Sequence, residues 1–159
     1  MTYSITNGFD PDKLSHGQAN LISKFTITYT GQIYRGKQDP LKLFAALRDL
    51  VSKGTMNPEE VEIRFYGTRN ELIAREIEEH ELSAMAKQYG IVPRETSFEK
   101  QRESQLLLLL NWEDRRERGG YTLKIFEYLA AQRPILVTGG SGDDVVKELN
   151  KRARELLFS

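Results

Sequence analysis

A run of five leucines at positions 106–110 constrains the fold of this chain more than any other stretch. No polar residue interrupts the run, so a strand formed there must bury side chains on both of its faces. Strands that are covered on both faces are typical of parallel sheets, because the crossover helices pack on either side of such a sheet. The leucine run therefore predicts a parallel sheet between layers of helices.

Four other short segments have the composition of strands, being rich in β-branched, aliphatic or aromatic residues. They are residues 25–30, 61–66, 91–92 and 135–138. Stretches of helical periodicity separate them, which gives five strands alternating with helices. This alternation predicts an α/β fold with a doubly wound, Rossmann-like parallel sheet in three α/β/α layers. Ligands are expected at the carboxyl ends of the strands.

Three helices carry more detailed predictions. Asn70 caps a long helix that continues to a glycine C-cap at Gly90, with inward-facing Leu72, Ile73, Ile77, Leu82 and Met85. Thr96 and Glu99 have capping-box spacing, which predicts a brief helix there. A helix that follows the glycines at 119–120 has its apolar face at Leu123, Phe126, Leu129 and Ala130.

Composition narrows the class of protein. The 159 residues include 23 basic and 23 acidic side chains, and this neutral balance argues against a nucleic-acid binder. The chain has no cysteine and two widely spaced histidines, so no metal site is predicted. No signal peptide or membrane-length apolar run is visible, and we expect a cytoplasmic protein. Residues 1–20 are interpreted as a linker or lead-in segment, and residues 21–159 as one domain.

Three loops at predicted strand ends carry residues suited to a ligand. The first, residues 31–37, combines two glycines with Arg35 and Lys37. The second begins with Gly119 and Gly120 and leads into a helix that carries Lys124 and Glu127, three residues apart. The third, residues 90–94, offers backbone amides and an apolar surface. Together these features suit a ligand with phosphates and hydroxyls. Glycine-bearing backbone, a helix start and cations can bind the phosphates, and a carboxylate can accept hydrogen bonds from the hydroxyls.

We expect these loops to share one nucleotide. Cations of the first loop and amides at Gly120 and Tyr121 would hold a diphosphate, Glu127 would accept bonds from a ribose diol, and the third loop would take the base. Each feature also has a purely structural interpretation, because charged residues in turns are commonly solvated and Glu127 could be an ordinary exposed helical position. No phosphate-loop or dinucleotide-binding glycine motif occurs in the chain.

With these residues in view, the chain resembles the C-terminal, donor-binding half of a GT-B fold glycosyltransferase of the retaining group-1 type (family four). The segments that carry this resemblance are residues 7–10, 31–37, 65–67, 90–93 and 124–135. The last of these segments, Lys-Ile-Phe-Glu-Tyr-Leu-Ala-Ala-Gln-Arg-Pro-Ile, is the most specific.

The resemblance implies a role for each matching position. Lys37 matches a phosphate-binding lysine of the family. The arginine of the same motif is replaced by Gln32 in this chain, and Arg35 is the nearby arginine that could take its role. Glu127 matches the ribose-binding second acid of a paired-acid motif, whose first acid falls at Gly119. The expected diphosphate site comprises Gly31, Arg35, Lys37, Gly120, Tyr121, Thr122 and Lys124, and the expected base contacts are Ile91 and Val92.

A member of this family would transfer a sugar, of hexosyl type, from a nucleoside-diphosphate donor to an acceptor with retention of configuration. The resemblance implies no resident cofactor or metal, and an acceptor-binding N-terminal domain linked to this one. The domain alone is expected to bind nucleotide without turnover. The alternatives are a non-catalytic nucleotide-binding or regulatory domain, or a GT-B relative such as a nucleotide-sugar epimerase or a phosphorylase.

Overall fold

The computed structural model describes residues 20–34, 36–111 and 123–139. They form five strands and four helices: β1 (Phe25–Thr30), α1 (Leu41–Ser52), β2 (Val61–Tyr66), α2 (Glu71–Glu79), β3 (Ala86–Gly90), α3 (Arg94–Arg102), β4 (Leu106–Leu110), α4 (Leu123–Ala130) and β5 (Ile135–Thr138). Residues 1–19 of the lead-in segment lie outside the described residues. No helix in the described part of the chain is long and apolar enough to cross a membrane.

The strands form a single parallel sheet in the order β3-β2-β1-β4-β5. The chain builds the sheet outward from β1 to β3, then returns past β1 to add β4 and β5. This reversal confirms the predicted doubly wound, Rossmann-like sheet, and it places the topological switch point between β1 and β4. A crevice opens at such a point, because the loops on its two sides turn away in opposite directions.

The leucine run lies in β4 and is covered on both faces, as predicted. Leu108 and Leu110 join a core with Phe44 of α1 and Ile73 of α2. Leu107 and Leu109 face the other way, in a second core that includes Ile125, Tyr128 and Ala131. The alternation of strand side chains therefore supplies two separate cores, which fix α1 and α2 on one face and α4 on the other.

Helix α3 is attached to the sheet through hydrogen bonds. Its one buried residue is Gln101, which is fully inaccessible to solvent. Polar side chains at its end pair with successive threonines of β1: Gln101 with Thr30 at 2.9 Å, Ser104 with Thr28 at 2.7 Å, and Gln105 with Thr26 at 2.6 Å. Buried polar groups need such partners, so this row of pairs fixes the register of α3 along β1.

The predicted long helix from Asn70 is wrong in its length. Asn70 does cap α2, since its side-chain oxygen accepts from the backbone N–H groups of Leu72 and Ile73. The helix ends at Glu79, where Glu81 takes a φ of +59° and Leu82 donates back to the carbonyl of Ile77 at 2.9 Å. This turn closes the helix in the manner of a Schellman motif. Leu82 and Met85 are buried, as expected, although they lie outside the helix.

The third strand is consequently displaced from its predicted position. The structure has it at Ala86–Gly90, and Ile91 and Val92 lie in the loop that follows. Sequence periodicity favoured a helix over residues 86–90, but pairing with the buried strand β2 prevails over that local preference.

Two predictions for α3 and α4 also need correction. α3 begins at Arg94, so Thr96 lies within the helix, and no side chain caps its start. In α4 the buried residues include Ile125 and Tyr128, whereas Leu129 is 38% exposed. The buried face of α4 is therefore rotated from the predicted one. It includes Tyr128, whose hydroxyl has a hydrogen-bond partner at the carboxyl end of β1.

Glycines at the carboxyl ends of β1, β2 and β3 bring the loop backbones into direct contact. The N–H of Gly31 donates to the carbonyl of Tyr66 at 2.7 Å, and that of Gly67 donates to Gly90 at 2.9 Å. Gly31 has a φ of +119° and Gly67 a φ of +148°, a region open to glycine. A Cβ on Gly67 would lie 2.0 Å from the carbonyl oxygen of Gly31. No larger side chain fits there.

We expect Gly67→Ala to lower the free energy of unfolding by at least about 3 kcal/mol, because it combines backbone strain with a backbone clash. Gly54→Ala is the matched control, since Gly54 also has positive φ, at +66°, but faces open space. The control should lose only about 1 kcal/mol, the strain contribution alone. Urea unfolding of the two variants measures the difference, and equal losses would show that the contact between the two loops is unimportant.

Candidate functional site

The ammonium group of Lys124 lies at the switch point. Lys124 is in the first turn of α4, and its Nζ donates to the hydroxyl of Tyr29 at 2.7 Å. The same nitrogen lies 3.9 Å from the centre of the Tyr29 ring. A Cβ on Gly31 would be 2.9 Å from it, so the absence of a side chain at Gly31 leaves room for the ammonium. Two predicted phosphate-site residues, Gly31 and Lys124, therefore lie next to each other.

Tyrosines and a glutamine hold this arrangement in place. The Tyr29 hydroxyl donates to the carbonyl of Gln32 at 2.8 Å and so presents a lone pair to Lys124. Gln38 is buried and donates to the carbonyl of Leu110 at 2.8 Å, which ties the loop after β1 to the end of β4. On the opposite face, the Tyr128 hydroxyl accepts from the N–H of Thr30 at 3.1 Å. Both sides of the crevice are thus fixed by hydrogen bonds.

Burial determines how these groups titrate. It lowers the pKa of Lys124 to about 8, an effect that the negative charge of Glu127 partly offsets. It raises the pKa of the Tyr29 and Tyr128 hydroxyls well above their usual range, so both are neutral at physiological pH. Lys124 is consequently a cation with poor solvation and a single neutral oxygen acceptor among its described contacts. An anion would satisfy it better.

Glu127 lies one turn further along α4, and it contacts the start of α3. The guanidinium Nη2 of Arg94 lies 3.5 Å from Oε1 of Glu127. Arg94 is the first residue of α3, directly after the loop that contains Ile91 and Val92. Ile91 is 80% exposed at this edge, which leaves it open to an incoming flat ring. The predicted ribose residue thus contacts the helix that directly follows the predicted base residues.

Lys37 lies in a neighbouring cleft of about 210 Å³, between the loop after β1 and the start of α2. Asn70 and Glu76 line the opposite wall of this cleft. The described contacts do not bring the Lys37 side chain to Lys124, although its neighbour Gln38 reaches Tyr29. Lys37 therefore lines a cleft that borders the cluster.

Four of the predicted site residues lie outside the described part of the chain: Arg35, Gly120, Tyr121 and Thr122. Among the residues that are described, no group of three or more histidine, aspartate or glutamate side chains is arranged to hold a metal ion.

Sequence reasoning missed Tyr29, Gln38, Tyr128 and Arg94. The first three lie in strand, loop and helix patterns that give no sign of a polar function, and only their tertiary contacts show it. Arg94 is the first residue of α3, where the helix dipole disfavours positive charge, and such a placement suggests a role elsewhere. The sequence predicted the helix start at Thr96, so this signal appears only with the structure.

Comparison with known proteins agrees with this architecture. No protein-family model and no curated protein sequence matches the chain. Solved structures of GT-B glycosyltransferases do match its fold. A mutant of S. aureus TarM in complex with fondaparinux, α-GlcNAc-glycerol and UDP has a TM-score of 0.61 at 17% identity, over 85% of this chain and 25% of TarM.

Two further structures show the same likeness. Anabaena HepE in complex with UDP and glucose has a TM-score of 0.63 at 15% identity, over 87% of this chain and 38% of HepE. The pneumococcal O-GlcNAc transferase GtfA, with UDP and GlcNAc, has a TM-score of 0.52 at 13% identity, over 86% of this chain and 30% of GtfA. This chain thus spans about a quarter to two-fifths of their lengths, and it has the Rossmann-like fold of that part.

The lowered pKa of Lys124 gives the folded chain a defined pH dependence. Between about pH 8 and the ordinary lysine value of 10.5, the unfolded chain keeps a proton that the folded chain has released. The contribution of Lys124 to stability therefore rises with pH in this window. From pH 7 to 9.5, wild type should gain about 2 kcal/mol of unfolding free energy relative to Lys124→Met.

Urea unfolding at both pH values measures this gain, and Lys53→Met is the control. Lys53 is an exposed lysine at the end of α1, paired with Asp49. Its replacement should leave the pH dependence of wild type unchanged. A parallel pH profile for Lys124→Met and wild type would show that the ammonium is fully solvated.

Proposed function

We propose that this chain is the donor-binding domain of a retaining, group-1 type GT-B glycosyltransferase, and that its switch-point crevice binds a nucleoside-diphosphate sugar. The observation that carries the proposal is the position of Lys124. A poorly solvated ammonium lies beside Tyr29 and Gly31 at the carboxyl end of β1, one helical turn before a carboxylate that contacts Arg94, the residue directly after the loop that follows β3. A ligand that carries an anion, hydroxyls and a flat ring has complementary groups in the same order.

The diphosphate is assigned to Lys124 and Gly31, with Lys37, Arg35 and the chain around Gly120, Tyr121 and Thr122 as the further members of the set. A cation held in a crevice of low polarity stabilises the negative charge that develops on a departing diphosphate. Protein charge of this kind would perform the role that a metal ion has in other transferases, so the proposal includes no resident metal or cofactor.

The nucleoside is assigned to the other side of the cluster. Glu127 is partly accessible, and its carboxylate oxygens can accept hydrogen bonds from the 2′- and 3′-hydroxyls of a ribose. Ile91 and Val92, in the loop after β3, would contact the base. The exposed position of Ile91 favours this assignment, because burial against a ring would remove its apolar surface from water.

Three structural neighbours support this class of ligand, since TarM, HepE and GtfA were each solved with UDP. Each of those chains is more than twice as long as the matched part. We therefore propose that an N-terminal acceptor-binding domain accompanies this one in a cytoplasmic enzyme. On this view the chain alone binds donor nucleotide and transfers no sugar, because the acceptor side of the cleft belongs to the other domain.

A thermal-shift panel tests the proposal with the diphosphates of uridine, guanosine and adenosine and their sugar conjugates. At least one should raise the melting temperature in a concentration-dependent way, since ligand stabilisation grows with the ratio of ligand concentration to Kd. Lys124→Met and Glu127→Ala should each lower the affinity for that ligand by about tenfold or more, which is the loss expected for a charge-assisted contact. Lys37→Ala should weaken it as well.

Two surface variants serve as matched controls. Glu79→Ala removes an exposed carboxylate from α2, and Lys53→Met removes an exposed cation from α1. Both should bind the nucleotide as wild type does. The proposal fails if no nucleoside diphosphate shifts the melting temperature, or if the purified domain alone transfers sugar.

A further inference from the structure

Arg94 occupies a position that the stability of its own helix does not explain. It is the first residue of α3, and the positive end of the helix dipole disfavours a cation there. Its side chain is 69% exposed, so packing in the core does not account for it either. The contacts that Arg94 does make are directed at the neighbouring helix and at one aromatic ring.

Those contacts fix the guanidinium in front of Glu127. The guanidinium carbon lies 5.3 Å from the centre of the Phe98 ring, one turn along α3, at cation–π distance. From there Nη2 reaches Oε1 of Glu127 at 3.5 Å across the gap between α3 and α4. Among the described residues this contact uses one carboxylate oxygen, and the other oxygen and its lone pairs can accept hydroxyl protons.

We infer that Arg94 is a positioning residue for nucleoside recognition, which orients the Glu127 carboxylate so that it accepts both hydroxyls of a ribose. The inference rests on the proposed function. Arg94 lies between the residues assigned to the base and the carboxylate assigned to the sugar, on the helix that follows the base loop. A carboxylate without this restraint would spread over several rotamers, and it would lose the geometry that two adjacent hydroxyls require.

The consequence is selectivity for ribose over 2′-deoxyribose that depends on Arg94. Isothermal titration of the full chain would use the best binder among uridine, guanosine and adenosine diphosphate, together with its 2′-deoxy form. Arg94→Met should lower the affinity for the ribonucleotide about threefold to tenfold, the range expected for an exposed charge pair. The affinity for the deoxynucleotide should stay within about twofold of wild type. Arg94→Lys should recover part of the ribose preference, because it restores the charge without the planar fork.

Arg75→Met is the matched control, since Arg75 is an exposed arginine paired with a glutamate on α2. It should change neither affinity. A double-mutant cycle with Glu127→Gln separates positioning from a structural role: for the ribonucleotide, the effect of Arg94→Met should disappear once Glu127 is replaced. Because Arg94 is exposed, the variants should keep the wild-type melting temperature.

Each other outcome has a separate meaning. Equal weakening of both nucleotides by Arg94→Met, or no weakening of either, overturns the positioning role while nucleotide binding stands. A wild-type chain that binds without ribose preference, or Glu127→Gln that keeps the preference, contradicts the ribose assignment of the proposed function. Failure of all three diphosphates to bind contradicts the proposed function as a whole, and the role of Arg94 with it.

Discussion

The contact between the backbones of Gly31 and Gly67 is the constraint on which the arrangement of this domain depends. It draws the ends of β1 and β2 together, and Gly67 in turn bonds to Gly90 at the end of β3. The loops that leave these strands therefore start from one compact row of backbone. A side chain at the contact would separate them, and the groups that they carry would no longer face a common crevice.

The same compactness explains why a lysine can be buried at this edge. The space beside Gly31 accepts the ammonium of Lys124, and the Tyr29 hydroxyl is oriented to receive it because its own proton is directed at a loop carbonyl. Gln38 closes the arrangement from the side of β4. Charge, hydrogen bonding and backbone shape therefore act together, and none of the three alone would keep a lysine in so apolar a place.

Sequence reasoning was effective where a pattern had one physical cause. The leucine run at β4 allowed only two-sided burial, and β1 and β2 have the composition of strands, so the class of fold was predictable. It failed at β3, where Ala86–Gly90 has no strand pattern of its own and is held by pairing with β2. In the candidate site, Lys124 and Glu127 were predicted from their spacing and composition, and their binding roles stay predictions. Tyr29, Gln38 and Arg94 were not, because their importance lies in partners distant in sequence.

The row of threonines under α3 has an evolutionary consequence. Each threonine hydroxyl of β1 has one polar partner at the end of α3, so positions 26, 28 and 30 are matched one to one with 105, 104 and 101. An aliphatic residue on one side alone would strand a polar atom in the interior. Replacing this polar interface between β1 and α3 by an apolar one therefore requires that both residues of a pair be substituted together. Within each pair, divergent relatives should therefore have either two polar residues or two aliphatic ones.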